Sequence, residues 1–187
     1  KAVILIPWVL PQVVTGFVWS VMLSDHMGIL TAIIRGSGIF PQDFSWFQTG
    51  TLSMVAAILT NVWRGFPFFA LMLYARLTTL PSEQLDAAKI DGAGAISEFL
   101  NVTLPNLRGE IIVALIFTVT LALRNFDLIY ITTGGGPGTS TMIPSMFIYK
   151  KAFQMGQVGS ASSLGIMLTL MIFTLVSLIL ITFREKK

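Results

Sequence analysis

Residues 161–183 read Ala-Ser-Ser-Leu-Gly-Ile-Met-Leu-Thr-Leu-Met-Ile-Phe-Thr-Leu-Val-Ser-Leu-Ile-Leu-Ile-Thr-Phe, a run without a single charge that is closed by Arg184, Lys186 and Lys187. A bilayer hydrocarbon core of about 30 Å needs roughly 20 apolar residues in helical form, so this stretch predicts a transmembrane helix. Residues 2–24 are equally free of charge. Residues 51–75 are interrupted by Arg64 and Pro67, and residues 111–132 by Arg124 and Asp127, yet both keep enough apolar length to cross. The sequence therefore predicts an all-α, polytopic membrane helix bundle of four spans, with 1–187 as a single transmembrane domain.

Composition supports that reading. Of 187 residues, 54% are apolar and 11% charged, with a mean hydropathy of +0.79, whereas a soluble domain carries about 25% charged residues. There is no cysteine and His26 is the only histidine, which removes thiolate sites and the HExxH zinc motif. The net charge of +3 is scattered between apolar runs rather than gathered on one face, so no nucleic-acid partner is expected. No Walker-type Gly-x-x-x-x-Gly-Lys-Ser/Thr loop occurs. Gly92-x-Gly94 lacks a preceding strand and a third glycine, and Gly134–Gly138 reads as an irregular turn. No catalytic, cofactor-binding or metal-binding residue is expected.

The basic residues assign sides. Lys1, Arg76, Lys89, Arg108, Arg184, Lys186 and Lys187 fall on one side of the four expected spans, and Arg35, Lys150 and Lys151 on the other. The positive-inside rule makes residues 76–110 and both termini cytoplasmic. Outside, Ile29, Leu30, Ile33 and Ile34 recur at helical spacing before Trp46 and Phe47, predicting a short interfacial helix. Pro7, Pro11 and Pro67 each remove a backbone hydrogen bond within a span, which lipid tolerates only where neighbouring helices or water satisfy the freed carbonyls. Ala161 and Gly165 form a small-xxx-small pair suited to close helix approach.

The loop from Pro81 to Pro105 predicts helix, sharp turn, helix. Ser82 is a natural N-cap and Glu83 complements the first turn. Asp91-Gly92 stops the helix, because glycine readily takes a left-handed capping conformation. A second helix is expected over about 95–101, ending before Leu104-Pro105. Residue physics alone leaves two readings open: an amphipathic connector lying on the membrane, or a docking element for a soluble partner.

This loop resembles the cytoplasmic signature of binding-protein-dependent ABC importer permeases. The matching residues are Asp86-Ala87-Ala88, then Gly92 after three residues, then Val102-Thr103-Leu104-Pro105 after nine more. Asp86 stands where Glu is commoner and Val102 where Ile is. Thr132-Thr133-Gly134-Gly135-Gly136-Pro137, Tyr149, Ala152-Phe153 and Gly159-Ser160-Ala161-Ser162 are similar to the carbohydrate-uptake branch, as are Trp63, Pro67-Phe68 and Asn125-Phe126-Asp127. The resemblance implies a type I importer permease fold in the bacterial inner membrane. It implies a subunit that encloses a path for a sugar or polyol with a second permease. Two cytoplasmic ATPase subunits that bind and hydrolyse ATP, and an extracytoplasmic solute-binding protein, would complete the system. Asp86, Ala87, Ala88, Asp91, Gly92, Val102, Leu104 and Pro105 would form the ATPase-coupling loop. The similarity aligns with the later spans of a subunit that usually has about six, and the chain starts at Lys1, so at least two early spans are expected to precede it.

Charges within spans cost about 2.5–3.5 kcal/mol at mid-bilayer, so Arg64, Arg124 and Asp127 are expected to face protein or water. Arg124 and Asp127, three residues apart, share one face of a continuous helix and pair there, or else line the substrate path with Arg64 and Asn125. Trp19, Trp63, Phe66, Phe126 and Tyr130 supply aromatic faces, either for a sugar or for interfacial anchoring. Two competing functions stay open: a secondary transporter, whose uptake would survive ATP depletion but not an uncoupler, and a membrane scaffold, which leaves the intramembrane charges without a role.

Overall fold

The computed structural model describes residues 2–184, with side chains throughout that range except at residues 2, 3, 124, 183 and 184. The described chain is all-helical. Its elements run α1 (Ile6–Val9), α2 (Gln12–Met22), α3 (Ile29–Gly36), α4 (Gly50–Leu77), α5 (Ser82–Ile90), α6 (Ala95–Glu98), α7 (Leu104–Asn106), α8 (Arg108–Arg124), α9 (Phe126–Thr132), α10 (Pro144–Tyr149) and α11 (Val158–Arg184). Wide π-type turns link α6 to α7 and follow α10.

The expectation of four spans is corrected. By length and apolar composition, α4 and the Val158–Thr182 part of α11 are able to cross a membrane. A third crossing exists only if Ala95–Asn106 and Arg108–Leu123, bent by 66° at their junction, count as one broken span. The cause is local backbone chemistry. Residues 2–24 do not form one rod, because Leu10, preceding Pro11, is forced out of the helical region (ψ 136°). The longest piece left is α2, whose 11 residues reach only about 16 Å. Residues 111–132 are split at Asn125, whose ψ of 57° ends α8 and starts α9. The 17 residues of α8 extend about 26 Å, short of the hydrocarbon thickness. Pro67 behaves differently: α4 continues through it for 28 residues, with Pro67 buried.

The core sits at one end of α4. Trp19, Leu23, Phe44, Trp46 and Ala56 form a buried cluster, joined by Leu30, Ile34, Phe47 and Leu52. Residues 25–50 are thus a compact cap over the start of α4. The expected helix at 29–34 is present as α3, but only Leu30 and Ile34 turn into the cluster, while Ile29 and Ile33 are exposed. Arg35 ties the cap together. Its Nε and NH2 donate to the Phe44 carbonyl at 2.9 and 2.7 Å, its NH1 donates to the Asp25 carbonyl, and its NH2 meets the Asp25 carboxylate at 3.5 Å.

Below the cap, α2 packs along α9, where Gly16 brings the two backbones together: a Cβ there would lie 3.0 Å from Cβ of Ile131. Of the expected small-residue pair, Ala161 is buried but Gly165 faces open space. α11 packs on α8 and α10 and is otherwise exposed. The loop between α4 and α8 lies at the opposite end of α4 from the cap, about 42 Å away along the helix axis.

Candidate functional site

Two places carry the expected site residues. The first is the turn between α4 and α8. α5 ends at Ile90 in a Schellman arrangement: Gly92 N–H donates to the Lys89 carbonyl and Ala93 N–H to the Ala88 carbonyl, with Gly92 at φ +79°. The sequence places this stop correctly. The start differs, since Pro81 is the N-cap residue and Ser82 lies inside the helix without a side-chain cap; the fixed φ of proline sets the entry instead. The second helix also differs. It runs on past Asn101 through a π-type turn, Phe99–Thr103, into α7, which contains Pro105. Widening the turn before Pro105 removes the clash that a proline ring otherwise makes with the preceding turn.

The turn projects. Gly92 has nothing within 4 Å of where a Cβ would stand, and Ile90 and Ile96 are 85% and 78% exposed. Asp86, Ala87 and Asp91 are exposed, and Asp86 meets Lys89 at 3.7 Å. Leu104 and Pro105 are exposed and Val102 half-buried, further along the same element. The element is anchored at its base by contacts that spacing does not reveal. Arg76, at the end of α4, meets Glu110 of α8 at 3.4 Å and donates to the Asn106 carbonyl. The Asn106 side chain donates to Gln84 of α5 at 2.9 Å and to the Val102 carbonyl at 2.8 Å. One polar clasp therefore joins both long helices to the projecting turn.

The second place is a cavity of about 520 Å³ beside the middle of α4. Its polar lining is Gln12 of α2, Asn61 and Arg64 of α4, Thr118 of α8 and Asn125 at the α8–α9 break; Phe66 and Phe69 contribute aromatic surface. The break thus has a purpose: it turns Asn125, 4% exposed, toward α4, where its Nδ2 donates to the side-chain Oδ1 of Asn61. The Oδ1 of Asn125 and the Nε of Arg64 are buried without a hydrogen-bond partner. Arg64 and Asn125 line this same cavity. Asp127 does not: it lies one element further on and is exposed. The helix breaks at Asn125, between Arg124 and Asp127; the Arg124 side chain and its expected pairing lie outside the described residues. Gln12, Asn61 and Thr118 are not singled out by the sequence; the signal for Asn61 is its place three residues before Arg64.

Among the aromatic candidates, Phe66 lines the cavity. Trp19 is buried and meets Trp63 edge-on at 5.7 Å. Phe126 and Tyr130 stack on each other at 5.0 Å and gather with Tyr149. Among the described residues, no group of three or more His, Cys, Asp or Glu is placed to hold a metal ion.

A family profile described as "Binding-protein-dependent transport system inner membrane component" matches residues 1–187. The chain belongs to this family. Members are inner-membrane transport components, and this chain is accordingly a multi-pass membrane protein. The sulfoquinovosyl glycerol transport system permease protein SmoG of Agrobacterium fabrum is 36% identical over 88% of the chain and 53% of that protein. The trehalose/maltose transport system permease protein MalF of Thermococcus litoralis is 35% identical over 99% of the chain and 62% of that protein. The chain thus spans between half and two thirds of the length of these relatives. In three dimensions it superimposes on a chain from the crystal structure of a bacterial ABC transporter that imports the acidic polysaccharide alginate, with a TM-score of 0.85 at 19% identity, covering 100% of this chain and 65% of that one. That likeness establishes the fold.

Proposed function

We propose that the chain is the core of a permease subunit in an ATP-driven importer of a carbohydrate or related polyol, and that it performs no bond chemistry itself. The observation that carries this reading is the exposed Asp86–Gly92 turn clasped at its base to both α4 and α8. An exposed apolar pair around a bare glycine is a poor solvent face but a good docking surface. The clasp gives a partner that moves the turn a grip on the helices flanking the cavity. Carbohydrate cargo is favoured by the relatives, whose names refer to sulfoquinovosyl glycerol, trehalose and maltose, and galactooligosaccharides.

In this mechanism a second permease completes the enclosure, a solute-binding protein delivers cargo outside, and two cytoplasmic ATPase subunits dock on the two permeases' turns. Closing of the ATPases on ATP draws the turns together, and the clasp converts that motion into reorientation of α4 and α8 around the cavity. Hydrolysis resets the path inward.

The test uses the assembled importer. Gly92→Trp fills the space a partner surface needs and strains a left-handed position by on the order of 1 kcal/mol; Asp86→Lys reverses the charge presented to it. Both variants are expected to assemble normally and to lose transport and solute-stimulated ATP hydrolysis, with Glu98→Lys milder. Normal coupling in an assembled Gly92→Trp complex would remove the turn from the mechanism.

A further inference from the structure

We infer that the cavity beside α4 receives a solute carrying an anionic group alongside its hydroxyls, and that Arg64 is the residue that selects for the charge. This rests on the importer reading above and adds the chemical class of its cargo.

Arg64 stands at the middle of α4, roughly 20 Å along the axis from either end. A side chain cannot span that distance, so its guanidinium does not reach a headgroup region. It takes part in no hydrogen bond or ion pair among the described residues, and its Nε is buried and unpartnered. Structural arginines inside membranes are paired; this one opens onto a cavity instead.

The rest of the lining sets what can pair with it. The described polar neighbours are amides and a hydroxyl, from Gln12, Asn61, Thr118 and Asn125, and none is a carboxylate. Among the described residues, the cavity therefore holds one positive charge and no counter-charge. Asn125 spends its amide on Asn61 and leaves Oδ1 as an open, buried acceptor, which suits a hydroxyl donor. Phe66 and Phe69 add flat apolar surface. A guanidinium presents a planar fork that matches carboxylate, sulfonate or phosphate oxygens. A sugar bearing one such group satisfies the fork, the acceptor and the apolar wall together, whereas a neutral sugar leaves the guanidinium unmatched.

The experiment uses the assembled importer in nanodiscs, without the solute-binding protein, so that delivery does not mask selectivity at the cavity. These residues contain no cysteine, so with any cysteines elsewhere in the assembly replaced by serine, Ile58→Cys, on the cavity wall, gives a thiol whose alkylation rate reports occupancy. Glucuronate, a glucose sulfonate and glucose 6-phosphate are compared with glucose, each also as its methyl glycoside, and the three anions identify which acid group fits best. At least one anionic sugar is expected to slow labelling at concentrations tenfold or more below its neutral counterpart. Arg64→Gln should abolish that difference and Arg64→Lys should keep part of it. Equal protection by charged and neutral sugars, unchanged in Arg64→Gln, overturns the inference. So does loss of assembly in Arg64→Gln that is rescued by neutralising an acid on the second permease, because Arg64 then serves an interchain ion pair. ATP-driven uptake of the cargo carried by the binding protein, measured in parallel, separates the two proposals: uptake without any sugar protection overturns this inference alone, and no uptake at all overturns the importer reading.

Discussion

Substituting Gly16 tests whether the α2–α9 contact organises the cavity. An alanine Cβ at this position would lie 3.0 Å from Cβ and 3.1 Å from Cγ2 of Ile131, and 3.5 Å from the Leu128 carbonyl. Ile131 is β-branched and its Cβ is fixed to the α9 backbone, so no rotamer change clears the contact; the helices must part by a few tenths of an ångström. Alanine gains about 0.5–1 kcal/mol over glycine in a helix interior, while overpacking costs about 1–3 kcal/mol. Gly16→Ala should therefore run from roughly neutral to about 2.5 kcal/mol destabilising, and Gly16→Leu should cost at or above the upper end of the overpacking range. The readout is the half-life of the assembled complex in detergent at fixed temperature, where about 1.4 kcal/mol in the barrier is tenfold. Gly16→Leu should shorten it at least tenfold, and Ile131→Ala in the same chain should restore part of the loss. Because α2 supplies Gln12 and α9 supplies Ile129 to the cavity wall, transport should fall in the surviving complex. A Gly16→Leu complex with the wild-type half-life would refute close approach at this position.

Four further outcomes follow from features already described. Arg76→Ala should change global stability by no more than about 1 kcal/mol, as expected for a partly exposed ion pair, yet uncouple ATP hydrolysis from uptake; tight coupling in this variant would deny the clasp its role. Asn125→Leu should cost about 1–3 kcal/mol by leaving the side-chain Oδ1 of Asn61 unpaired, and the Asn61→Leu, Asn125→Leu double variant should cost less than the sum, as measured by denaturant-induced loss of assembly. Arg35→Ala releases both the Phe44 carbonyl and Asp25 and should speed protease cleavage within residues 37–48, with cleavage at the wild-type rate counting against the cap's dependence on it. Single cysteines at Ser97 and Thr139 should label from opposite sides of the membrane, and labelling of both from outside intact cells would overturn the assigned orientation.

What the sequence shows and hides follows from the range of the interactions. The Gly92 stop and the all-α class are local matters of glycine conformation and apolar run length, and both are legible. The number of crossings was not, because apolar length counts residues and not backbone continuity. Pro11 announces its break, but Asn125 looks like an ordinary helix residue until its amide is seen bonded to Asn61, 64 positions earlier. Pro105 misled in the other direction: a proline normally ends a helix, and only the wide turn before it lets the chain run on. Arg64 was legible as a problem, since a mid-span charge needs a reason, but its surroundings required the fold. The Arg76, Glu110, Asn106 and Gln84 clasp joins residues up to 34 positions apart through side chains that each look unremarkable in sequence.

The α11 helix touches the rest of the chain along one stripe, through Ala161 and its contacts with α8, α10 and the wide turn after α10. A side chain that meets only lipid is constrained by solubility in hydrocarbon and not by shape. Positions from Ile166 to Ile181 that no further helix covers in the assembled importer should therefore accept any of Leu, Ile, Val, Phe or Met, so a saturation library across this segment should tolerate shuffled apolar residues there and reject charge. The same library at the buried positions of α9, Leu128, Ile129 and Thr132, should tolerate almost none. Mutational tolerance, plotted along the chain, would thus trace the boundary between the surface that meets fluid bilayer and the surface that meets protein.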